Sequence, residues 1–176
     1  METKQIIFYV LGIITISTIS SFFIDIKLTI TIALSLFLLL SYISYKEKIG
    51  KEFIIAILFA LFITSYYLYE YTTANLYLGK INLFPLVAWT AGLVILREFY
   101  EGIKIENKFL LISVIYIGGL FLLEYIGFYI FKIRLNSDFP SLLRFGIIHA
   151  SLGVKLFYIF AGPLYIIMPI LLSYFY

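Results

Sequence analysis

One apolar stretch dictates the solvent in which this chain folds. Phe109 to Phe131 reads FLLISVIYIGGLFLLEYIGFYIF and is bounded by Lys108 and Lys132. As a helix rising about 1.5 Å per residue, it is long enough to cross a hydrocarbon core of roughly 30 Å. One acid, Glu124, lies inside it. An acid near the centre of a membrane helix costs at least ~2–3 kcal/mol, so it needs a partner, a proton or a wet cavity.

The rest of the chain repeats this character. Hydrophobic residues make up 63% of the 176 positions and charged ones 13%. That leaves too few polar side chains to coat the outer faces of a soluble fold. Six apolar runs approach spanning length: approximately Ile6–Ile24, Leu28–Tyr45, Phe53–Tyr69, Leu83–Tyr100, Phe109–Phe131 and Leu156–Tyr176. They are continuous rather than alternating, which excludes a β-barrel. The expected fold is all-α: a polytopic integral membrane protein, one bundle of six transmembrane helices over residues 1–176. The first run is too long for a signal peptide and no small-x-small site follows it, so it reads as a retained span.

Lysines and arginines gather in the connections. Lys46, Lys48 and Lys51 lie in one, Lys104 and Lys108 in another, and both fall on the same side for a six-span chain. The positive-inside rule then favours cytoplasmic termini, in the cell membrane. The last connection argues the other way, with Lys132, Arg134, Arg144 and Lys155. It is also the longest. Asn136-Ser137-Asp138-Phe139-Pro140 reads as a turn and a helix start, so residues 141–152 are expected to form a short interfacial or re-entrant helix. Its apolar residues do not make one clean stripe, and a lid and a surface helix fit equally.

Two segments resemble each other. A charged connection leads through Phe53 to Glu70-Tyr71, and another through Phe109 to Glu124-Tyr125. Both an internal duplication and the preference of Glu and Tyr for membrane interfaces account for this. On either account Glu70 and Glu124 are placed at similar depth on parallel spans. Arg97 and Glu101, four residues apart on the fourth span, can pair along one face and anchor its inner end. Trp89 and the tyrosines from Tyr66 to Tyr77 read as an aromatic belt.

Whole classes of chemistry lack their residues. The chain has no cysteine and a single histidine, His149. Thiolate catalysis, cysteine metal sites and paired-histidine metal sites are therefore excluded. There is no phosphate-binding glycine loop, no dinucleotide fingerprint and no nucleophile elbow. No metal and no cofactor is expected. With no basic face outside the membrane, nothing points to nucleic acid. The expected partners are membrane lipids.

What remains is proton chemistry. Glu124, Glu70 and His149 are the candidate catalytic residues, with His149 able to exchange a proton near neutral pH. Asp138, Asn136, Arg144 and Arg134 are the candidate substrate-binding residues, because all fall in the same half as the two acids. The leading expectation is a membrane-embedded enzyme doing metal-free acid–base chemistry on a lipid or isoprenoid substrate. A small proton- or cation-coupled transporter would use the same acids. A structural or assembly subunit would use Glu124 only to bind a neighbouring helix.

Overall fold

The computed structural model describes residues 12, 15, 25–67, 69–72, 75–136, 139–142 and 146–173. The expected first span, 6–24, therefore lies outside the described residues except for Gly12 and Thr15.

Asp25 starts the first long helix. Its carboxylate accepts from the backbone N–H groups of Lys27 (2.9 Å) and Leu28 (3.1 Å), occupying donors that a helix start leaves free. Helical backbone then continues without a break from Ile26 to Tyr66, 41 residues, here α1. A straight helix of that length would be about 60 Å long. Side-chain contacts forbid it. The Tyr42 and Phe53 rings lie 5.4 Å apart, and the Lys27 ammonium sits 4.7 Å from the Tyr71 ring. The chain therefore doubles back between Tyr42 and Phe53, and α1 is two antiparallel arms. The charged connection expected as a loop at 46–52 keeps helical backbone instead.

The second arm stops at Tyr66, because Tyr67 takes an extended conformation. It is thus shorter than the expected run to Tyr69. A small antiparallel hairpin follows, β1 (Tyr77–Leu78) against β2 (Ile81–Asn82). Asn82 then caps α2 (Leu83–Gly102) by accepting from Phe84 N–H at 3.2 Å. Pro85 sits in the first turn of α2, where its missing N–H costs no helical bond. Next come α3 (Lys108–Tyr125), one π-helical turn (Ile126–Ile130) and α4 (Leu152–Ser173).

Among the described residues, four helical stretches are long and apolar enough to cross a membrane: Ile26–Ser44, Leu83–Gly102, Lys108–Ile130 and Leu152–Pro169. These are helices of a membrane protein. Their packing order follows from long-range contacts. Phe62 of the second arm meets Phe157 at 6.1 Å, while Tyr165 donates to the Glu52 carbonyl at 2.9 Å, so the second arm and α4 are antiparallel. Trp89 meets Phe157, and Arg97 donates to the Ile166 carbonyl at 3.1 Å, so α2 and α4 are parallel. Tyr116 reaches the Tyr158 carbonyl and Ile112 packs with Ile166, so α3 runs against α4. Ala56, Ala60, Ala91 and Ala161 are fully buried where backbones approach closely. Leu110, Val114, Leu122 and Leu123 of α3 are exposed, as lipid-facing residues are.

This alternation gives the bundle two ends. The reversal of α1 and the 103–107 connection share one. Asp25, the 67–82 connection and the 131–151 connection share the other. At that second end the two connections are tied together. Asn136 N–H donates to Glu70 C=O (2.8 Å), Thr72 N–H donates to Arg134 C=O (3.0 Å), and Tyr71 bridges Leu135.

The helix expected at 141–152 is not formed by the described residues there. Residues 146–151 are irregular and α4 begins at Leu152. Gly146 (φ 69°) and Ile148 (φ 53°) occupy left-handed backbone, which a right-handed helix cannot contain. The Lys155 ammonium donates to the Pro140 and Ser141 carbonyls and holds the chain across the start of α4. The segment still packs on the bundle: Ile147, Ile148 and Ala150 are buried with Ile63, Tyr69, Val154 and Tyr158. The candidate caps Ser137 and Asp138 lie outside the described residues.

Candidate functional site

Glu124 occupies the last turn of α3, immediately before the π-helical turn. A π turn adds a residue to the helical repeat and recurs at functional positions. Here it is closed by bonds from Phe131 N–H to Ile126 C=O (3.0 Å) and from Ile133 N–H to Gly127 C=O (2.8 Å). Glu124 is half-buried, and its carboxyl is hydrogen-bonded to the Tyr158 hydroxyl of α4.

The polar contacts continue from there. The Tyr69 hydroxyl donates to the Tyr158 hydroxyl at 3.0 Å. The Trp89 indole N–H donates to the Tyr69 oxygen at 3.2 Å. Tyr69 and Tyr158 are 2% and 5% exposed, so these groups see almost no water. The line runs from α3 through α4 and the 67–82 connection to α2. Aromatic packing holds it in place: Trp89 stands edge-on to Tyr158 (4.9 Å), and Tyr67 edge-on to Tyr69 (4.8 Å). Burial pushes the Tyr69 phenol well above its usual range, so it keeps its proton at neutral pH.

Tyr158 is itself located by Tyr116, whose hydroxyl donates to the Tyr158 carbonyl at 2.6 Å. The Tyr116 ring lies directly over Gly162, at a spot where any Cβ would come within 2.7 Å of three ring carbons. A glycine at that position of α4 is what lets the ring, and hence Tyr158, sit where they do.

The other expected site residues fall as follows. Glu70 does not join Glu124. Because α1 ends at Tyr66, Glu70 lies beyond the helix with an exposed side chain, and only its carbonyl is used. Glu70 and Asn136 meet through backbone alone. Arg134 is exposed, with its guanidinium 4.7 Å from the Phe128 ring. His149 stacks on that same ring at 5.4 Å. Its Nδ1 lies 3.1 Å from the Phe139 carbonyl and its Nε2 3.2 Å from the Gly146 carbonyl. Its ring nitrogens therefore serve the 131–151 connection and do not reach Glu124. Asp138 and Arg144 lie outside the described residues. No cation forms an ion pair with Glu124 among the described residues; the pair present is Arg97–Glu101 at 2.7 Å, as their spacing predicts.

Tyr158 was missed by reading the sequence, and Tyr69 and Trp89 were read only as belt residues. The signal was available in chemical terms. Inside apolar helices, tyrosine and tryptophan carry the few polar hydrogens able to meet a buried acid.

No family model matches the chain, and no match arises among curated proteins or solved structures. The site itself has to carry the functional reading.

Proposed function

We propose that the protein is a membrane-embedded enzyme performing acid–base chemistry on an apolar or amphiphilic substrate, a lipid or isoprenoid, with Glu124 as the group that exchanges the proton. The observation carrying this reading is the partner of Glu124: a phenol, Tyr158, and not an arginine or lysine. A carboxylate neutralised by a fixed cation is held charged, whereas one bonded to a neutral hydroxyl can hold or release a proton. Exposed Leu122, Leu123 and Tyr125 flank Glu124 on α3, so a lipid-soluble substrate could approach sideways from the bilayer.

We read the whole chain as six spans, adding 6–24 to the two arms of α1 and to α2, α3 and α4, with both termini cytoplasmic in the cell membrane. The shared end of the α1 reversal and the 103–107 connection supports this, since both are rich in lysine.

The test compares lipid extracts, by mass spectrometry, from cells making the wild-type protein, the Glu124→Gln variant or neither. A lipid or isoprenoid product present with wild type and lost with Glu124→Gln, at equal amounts of protein in the membrane, is expected. Identical extracts, together with Glu124-dependent proton flux in liposomes, would overturn the enzyme reading in favour of a proton-coupled transporter.

A further inference from the structure

An acid in a membrane interior has to exchange its proton with something, and hydrocarbon supplies neither water nor ions. At Glu124 a built route is present. Tyr158 bonds Glu124, Tyr69 donates to Tyr158 at 3.0 Å, and Trp89 N–H closes the line on the Tyr69 oxygen at 3.2 Å. Indole N–H is a donor only, so no proton can pass on into α2. What Trp89 does is occupy the Tyr69 oxygen and turn the Tyr69 hydroxyl hydrogen toward Tyr158. The open end of the line is Tyr69, which belongs to the connection at the covered end of the bundle, beyond the last residue of α1.

We propose that Tyr158 and Tyr69 are positioning residues that relay protons between Glu124 and water at the covered end of the bundle. The transfer balances without any redox change. When the Glu124 carboxylate is protonated, it takes the hydroxyl proton of Tyr158. Tyr158 takes that of Tyr69, and Tyr69 takes one from a water molecule, leaving hydroxide to be neutralised outside. Release runs the same O–H exchanges in reverse. The shifts have to be concerted, because a separate step would leave a phenolate stranded in a buried, nearly anhydrous site. The inference goes beyond the enzyme reading: it requires only that Glu124 exchanges a proton, whatever that proton is then used for.

The test uses the full chain in lipid nanodiscs, with time-resolved infrared difference spectra after a pH jump. The carboxylic C=O band seen in wild type and missing in Glu124→Gln reports protonation of Glu124. In Tyr158→Phe and in Tyr69→Phe the band should still appear at equilibrium, with its rate of appearance slowed on the order of 100-fold. A purely structural role would alter the amount of folded protein and leave that rate unchanged. Wild-type rates in both variants would overturn the relay, as would a wild-type Glu124 band that does not change with pH. If the lipid product depends on Glu124 while both phenylalanine variants protonate it at the wild-type rate, the relay falls and the enzyme reading stands.

Discussion

Replacing Gly162 with alanine adds one methyl group against the face of Tyr116. Built on the observed backbone, that Cβ lies 2.7 Å from Cγ, Cδ1 and Cδ2 of the ring, where ordinary contact is 3.4–4 Å. The ring would have to retreat by roughly 0.7–1.3 Å, a displacement that in a close-packed interior costs about 1–3 kcal/mol. Tyr116 cannot retreat freely, because its hydroxyl is bonded to the Tyr158 carbonyl at 2.6 Å. Losing that bond adds about 0.5–1.5 kcal/mol, for a total of about 2–4 kcal/mol. The assay is reversible unfolding in mixed micelles for wild type, Gly162→Ala, Tyr116→Ala and the double variant. The methyl group meets nothing but the ring, so Gly162→Ala should cost almost nothing once Tyr116 is alanine. The coupling in this cycle should therefore nearly equal the cost of Gly162→Ala alone. Wild-type stability of Gly162→Ala, or an equal cost in both backgrounds, would refute the argument.

Two further outcomes are expected. Cysteines placed by Lys48→Cys and Lys104→Cys in this cysteine-free chain should react with an impermeant reagent from the same side of sealed vesicles; labelling from opposite sides would defeat the six-span arrangement. Glu70→Gln should leave both the lipid product and the Glu124 infrared band unchanged, because the Glu70 side chain is exposed and apart from the phenol line; loss of either would restore a two-acid site.

Reading residues in order succeeded where the physics is local. Capping by Asp25 and Asn82 depends on side chains a few positions from the helix start. The Arg97–Glu101 pair needs only a helix and a spacing of four residues. Errors arose where non-local contacts overrode local preference. The α1 reversal kept helical backbone through a run of charged residues, and the two arms are recognised only by Tyr42 meeting Phe53. Residues 146–151 carry apolar side chains and follow a proline, as a helix would. Left-handed Gly146 and Ile148, with Lys155 reaching back to Pro140, hold them in another shape. Glu70 was placed at the depth of Glu124 by counting along a helix that in fact ends at Tyr66.

By itself, the sequence determined that this chain builds apolar helices and that Glu124 requires a partner. Both follow from transfer free energies, which depend on residue type and run length. Which partner Glu124 meets was decided only by tertiary structure. Every span offers tyrosines, and their spacing along the chain does not say which of them converge. Convergence required α3 and α4 to run antiparallel, Gly162 to admit the Tyr116 ring, and the 67–82 connection to fold Tyr69 back over the bundle. Each of these is a contact between residues far apart in sequence, and none is encoded by a neighbouring residue.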